Sequence, residues 1–151
     1  MAGGDQAMRE LGDRLPVPEF TTTPFTTPPP LASATVAICT SAALHPVRHD
    51  AFTPTDTTYR VLDRAERQLA LGHWSPNFDR TGFAIDLDVV YPIDRLEELA
   101  AEGIIGAVAP RHLAFAGNQP DDVATVRLDS GPAAAAVLKA DGVDVVLLTP
   151  V

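Results

Sequence analysis

Few side chains in this sequence can do chemistry at neutral pH, and their spacing limits what that chemistry is. The single cysteine, Cys39, lies inside the apolar run Ala34 to Thr40, where a thiol behaves as a small inert hydrophobe rather than a nucleophile. His45 follows that run by a few residues, a place from which an imidazole can face a crevice and donate a proton. The plain alternative is a loop histidine bonded to main chain. His45 and His49 have the spacing of a helical metal pair, but Pro46 stands between them and no third ligand is evident. Asp79 beside Arg80 suits the orienting of an active-site loop or the binding of a substrate carboxylate, and the plainer reading is an ordinary turn with a surface ion pair. His112 follows a second apolar run, Ile104 to Ala109, and is either a pocket histidine or a solvent one. His73-Trp74 reads as packing at a helix end, and Asp86 and Asp88 as the solvated face of a strand. Gly103 to Gly106 has neither a P-loop nor a dinucleotide pattern, which counts against a nucleotide-binding α/β domain.

These residues need elements to position them. Ala34 to Thr40, Ile104 to Ala109 and Val143 to Thr149 are short, apolar and partly β-branched, the composition of strands buried on both faces. Pro92 opens a helix with Ile93, Leu96, Leu99 and Ala100 on one face, and Gly103 ends it. Asp129 or Ser130 caps a second helix, Pro132 suits its first turn, and Gly142 ends it. Less regular stretches predict an extended segment over Thr57 to Leu62, a short helix over Arg64 to Leu71 and a half-exposed strand near the end of Phe78 to Tyr91. Two successive helix, glycine, strand units give the rhythm of an α/β three-layer sandwich with a mainly parallel sheet, Rossmann-like or flavodoxin-like. Ligands of such sheets bind beyond the carboxyl ends of the strands, so Thr40, the Pro110-Arg111-His112 loop and Val151 are expected at one edge.

Composition bounds the class. A chain of 151 residues with 46% hydrophobic residues fits one α/β domain, residues 32–151, preceded by a Pro/Thr-rich arm or linker, residues 1–31. The net charge of -9, without any cluster of Lys and Arg, disfavours nucleic acid and anionic lipid as partners. One cysteine excludes an internal disulfide framework, and neither a signal peptide nor an apolar membrane span is legible, so the cytoplasm is the natural assignment. The final run Val143 to Val151 is apolar to its end, which predicts an α/β domain incomplete at its C-terminus and truncated at its catalytic edge.

Several segments together resemble the glycine/sarcosine/betaine reductase selenoprotein B family, which includes the selenocysteine subunit of D-proline reductase. They are Val36 to His45, Asp56 to Arg60, Phe78-Asp79-Arg80-Thr81-Gly82-Phe83, Val90 to Leu96, Glu102-Gly103-Ile104-Ile105-Gly106 and Ala140-Asp141-Gly142-Val143-Asp144. The resemblance spans residues 34–151 and implies reductive cleavage of a carbon–nitrogen bond in glycine, sarcosine, betaine or D-proline. It implies a selenocysteine or cysteine directly after the Thr149-Pro150-Val151 strand end, so that a UGA codon read as stop, or a split gene, would give a chain ending here. It further implies a hetero-oligomer in which a pyruvoyl-containing partner subunit holds the substrate amine and a dithiol supplies electrons. This chain itself then carries no cofactor and no metal. Thr40, His45, Asp79, Arg80 and His112 are the pocket candidates. The rival expectation is a non-catalytic split subunit or assembly module of such a complex.

Overall fold

The structure, a computed structural model, describes Gln6, Glu10, Arg14, Thr21 and residues 25–75, 80–117, 119 and 123–151. In chain order its elements are β1 (Thr35–Thr40), β2 (Leu44–Pro46), β3 (Tyr59–Asp63), β4 (Leu69–Leu71), α1 (Thr81–Ile85), α2 (Ile93–Ala101), β5 (Ala107–Val108), β6 (Arg111–Phe115), α3 (Gly131–Ala140) and β7 (Val145–Thr149). The apolar, β-branched run at β1 becomes the central strand. Strand β7 runs parallel to it from Val36 to Thr40 and fills one edge. Strands β5, at Thr35 and Val36, and β6, at Cys39 and Thr40, share the other edge, also in parallel. Strand β3 then lies antiparallel on β6, and β2 and β4 form a separate antiparallel pair.

The sheet is therefore mixed, and the expected mainly parallel sandwich holds only as an α/β fold with parallel neighbours around β1. Each face of β1 meets one helix. Val36 and Ile38 pack with Ile93 and Leu96 of α2, while Ala37 packs with Ala134 and Leu138 of α3. Burying side chains such as Ile93 and Leu96 stabilises the fold by roughly 2 kcal/mol each. Both helices stop as their glycines predict. Gly103 and Gly142 have φ of 72° and 70°, and the next residues, Ile104 and Val143, donate to Leu99 and Leu138.

Four sequence expectations are corrected. Arg64 to Leu71 is no helix: Asp63 and Glu66 carboxylates take the amides of Ala65 and Gln68, side-chain bonds that compete with helical ones, and Leu69–Leu71 pairs with β2 instead. The strand placed within Phe78 to Tyr91 is, over the described part, α1 followed by a 3-10 turn at Leu87–Val89. Asp86 caps that turn by accepting from the Asp88 amide at 2.9 Å, so the two aspartates are not a strand face. Ser130 does not cap α3; it has helical backbone angles behind a π-helical turn, Val126–Ser130, and its hydroxyl donates to the Thr57 carbonyl at 2.7 Å.

The fourth correction concerns Ile104 to Ala109. Ile104 and Ile105 close the end of α2, the strand there is only Ala107–Val108, and after a break at residues 109–110 Arg111 and His112 begin β6, so Pro110-Arg111-His112 is not a loop at a strand's end. Between Val36↔Val108 and Cys39↔Leu113 the register slips by two residues, which would leave the buried Ile38 amide without a main-chain acceptor. His112 repairs this: its Nδ1 accepts from the Ile38 amide at 2.9 Å. The Pro110 carbonyl is taken by the Arg64 amide at 2.9 Å. Arg111 then fixes the start of β6 to the end of α3 through a two-pronged pair with Asp141, at 2.8 and 2.6 Å.

Candidate functional site

The carboxyl ends of β1 and β7 are laced together by hydroxyls. Thr40 Oγ1 accepts from the Ala42 amide at 3.2 Å and donates to the Thr149 carbonyl at 3.3 Å. The Ser41 amide donates to the same carbonyl at 3.2 Å. Ser41 Oγ accepts from the Val151 amide at 2.9 Å and donates to its carbonyl at 3.3 Å, so one serine holds both polar groups of that residue. Thr149 Oγ1 donates to Val90 at 2.9 Å, tying β7 to the segment before α2. Just past the edge Ala43 is held at φ 54°, a left-handed conformation that disfavours a Cβ. It is pinned there by bonds to Phe115 and Gly72.

His73 covers this edge. Its ring is buried beside Gly117 so closely that a Cβ on that glycine would lie 2.0 Å from Nε2 and 2.8 Å from the Ser41 carbonyl. Nδ1 accepts from the Ser75 amide at 3.1 Å, which leaves the proton of the neutral ring on Nε2, the nitrogen that faces Gly117. The His73 carbonyl accepts from Arg80 at 2.7 Å. Burial, and then the charge of Arg80, push the imidazole pKa below its ordinary value, while a hydrogen bond with the Val151 main chain partly opposes them. His73 is thus neutral at physiological pH, a fixed donor rather than a cation.

The sequence candidates distribute unevenly around this edge. Thr40 is part of it and fully buried. Arg80 reaches it through the His73 carbonyl. Asp79 lies outside the described residues. His45 is buried on β2, its Nδ1 3.0 Å from the Pro46 carbonyl and its ring edge-on to Phe52 at 6.4 Å. His112 is buried lower in the sheet at the level of Ile38, against Tyr91 with ring centres 5.5 Å apart. Its pKa is depressed to about 4, first by burial and then by Arg64 and Arg67, so it is neutral. Burial likewise raises the Cys39 thiol to about 11, which keeps it protonated and unreactive.

His73, Ser41 and Gly117 were missed by sequence reasoning. The available signal was the Gly72-His73-Trp74-Ser75 stretch immediately before the Phe78 to Phe83 segment, a loop composition read as packing. Trp74 does make one anchoring bond, from Nε1 to the Phe52 carbonyl at 3.0 Å. Among the described residues no group of three or more His, Cys, Asp or Glu could hold a metal ion, and no helix is long and apolar enough to cross a membrane.

The α/β chain matches a known family over nearly its whole length. The family model of glycine/sarcosine/betaine reductase selenoprotein B matches residues 8–151, and the chain belongs to that family. The chain is similar to D-proline reductase subunit gamma of Acetoanaerobium sticklandii, 34% identical over 134 residues, covering 82% of this chain and 54% of that relative. The chain thus spans about half the length of the curated relative it matches. No solved structure matches it.

Proposed function

We propose that this chain supplies the α/β region of a reductase subunit that splits a carbon–nitrogen bond in a small amino acid or amine of the glycine, sarcosine, betaine or D-proline type. Its nucleophile is a selenocysteine or cysteine directly after Val151. The observation that supports this reading is the convergence of Thr40, Ser41, His73 and Gly117 on the β1 and β7 ends, with Val151 gripped by Ser41. A residue following Val151 would emerge among these groups, at the edge where open parallel sheets bind their ligands. Cys39 is not a competitor, since it is buried in β1 and protonated.

In this reading His73 offers a proton on Nε2 to an anion at the edge without itself becoming charged. Arg80 contributes a positive charge that favours the selenolate or thiolate form and draws in a substrate carboxylate. Attack on the substrate carbon forms a carbon–selenium (or carbon–sulfur) bond as the carbon–nitrogen bond breaks, and the nitrogen keeps the bonding pair and takes up a proton. One thiolate of the dithiol then attacks the selenium (or sulfur), so that the carbon leaves with the bonding pair and takes up a proton, and the second thiol displaces the restored nucleophile as the dithiol closes to a disulfide. A pyruvoyl group on a partner subunit would hold the amine and withdraw electrons from the reacting carbon. The assembly is then a hetero-oligomer working in the cytoplasm.

The experiment is a substrate screen. The chain continued through a selenocysteine or cysteine after Val151 is combined with the pyruvoyl-containing partner and a dithiol, and product is measured from glycine, sarcosine, betaine and D-proline. One substrate type should be reduced, with Arg80→Gln raising KM for it more than it lowers kcat. Equal KM values for Arg80→Gln and the parent would remove Arg80 from the site, and no product from any of the four would remove the reaction class.

A further inference from the structure

Strand β7 has the composition of an interior strand and the surroundings of an unfinished one. Among the described residues it pairs only with β1, so the amides facing away from β1 have no strand beside them. Its register puts Leu147 on the Ile38 face and Val146 and Leu148 on the face of Ala37 and Cys39. Helices α2 and α3 cover those faces at β1 and leave them open at β7, where Val146, Leu147 and Leu148 are 39%, 38% and 68% exposed. A Val-Val-Leu-Leu strand open on both faces and along one edge is a site for further pairing. Beside it a groove of about 490 Å³ runs between Phe25, Thr26 and Pro28 of the arm and Asp144, Val145 and Val146, with Phe25 91% exposed.

We propose that this edge and groove receive a strand, followed by covering helix, from the polypeptide by which the family's longer member exceeds this chain, so that β7 becomes an interior strand of a larger sheet. The size of the relative supports that occupant, because 54% of it is matched and the remainder is polypeptide of the same subunit. A second copy of this chain fits less well. Edge-to-edge pairing of two β7 strands would leave Val146 and Leu148 open on their faces, and each copy carries a net charge of -9. The inference rests on family membership and on β7, not on the proposed reaction, so either can fail without the other.

The probe is the part of the Acetoanaerobium sticklandii D-proline reductase subunit gamma that this chain does not match. It is added to the 151-residue chain and, in case it does not fold alone, also joined to that chain as one polypeptide. Hydrogen exchange of the β7 amides should slow at least tenfold in one of these forms relative to the chain by itself. Leu148→Lys should abolish the slowing while leaving β1 protection unchanged. Exchange of β7 at the same rate in all forms would overturn the proposal. So would protection of β7 in the chain alone that grows with concentration, which would make a second copy the occupant.

Discussion

Replacing His112 should change how stability depends on pH more than it changes anything at the candidate edge. The ring is fully buried, its Nδ1 accepts from the Ile38 amide, and its pKa lies at about 4 against an ordinary 6.5. A histidine whose folded pKa is depressed contributes fully above the unfolded value, and that contribution is lost as pH falls through 6.5 towards 4, where the unfolded chain binds the extra proton. The shift corresponds to about 3 kcal/mol in full, of which about 2.5 kcal/mol is lost between pH 7.5 and 4.5. His112→Asn keeps an acceptor near the Nδ1 position but cannot titrate; His112→Leu also removes the acceptor and should cost a further ~1–3 kcal/mol at every pH. Urea unfolding of the three proteins at several pH values between these limits gives the answer. The parent should lose about 2.5 kcal/mol more than His112→Asn on acidification. Parallel stability curves for the parent and His112→Asn would refute the assignment of His112 as a neutral buried acceptor.

Other consequences are simpler. Gly117→Ala should lower the melting temperature and displace the His73 ring resonances, because a Cβ there meets Nε2 at 2.0 Å; unchanged His73 signals would contradict the packing. Gly142→Ala should cost about 1 kcal/mol from its φ of 70° alone, since a Cβ meets no atom within 4 Å; a larger loss in chemical denaturation would mean that α3 ends differently. Cys39 should react with iodoacetamide about 100-fold more slowly than a free thiol at pH 8, as its pKa of about 11 stands two units above 9.0; alkylation at the free-thiol rate would place it at the surface.

The fold was legible where one physical signal acted alone. Apolar β-branched runs located β1 and β7, and a proline start with a glycine stop located α2, because nothing local competes with burial or capping at those places. It was illegible where side chains bond to nearby amides. Asp63, Glu66 and Asp86 each capture main-chain donors, which turned an expected helix into turn and strand and an expected strand into short helices. The antiparallel placement of β3 depends on partners distant in sequence and leaves no periodic trace. His112 shows the same limit for sites: its position after an apolar run suggested a crevice, whereas its ring substitutes for a missing carbonyl at the break between β5 and β6. His73 shows the converse, a loop histidine whose importance comes from the approach of Gly117 and Ser41, both far away in the chain.

The central claim, that the nucleophile follows Val151 and is served by the Ser41 and His73 edge, is tested by comparing three polypeptides side by side. These are the 151-residue chain, the same chain continued through cysteine, and the same chain continued through selenocysteine, each with the pyruvoyl-containing partner, a dithiol and the substrate found in the screen. The account predicts no dithiol-dependent product from the first, slow formation from the second and the fastest from the third, because selenolate is the more ionised and more nucleophilic anion at neutral pH. Product from the 151-residue chain alone, or equal rates from all three, would contradict it.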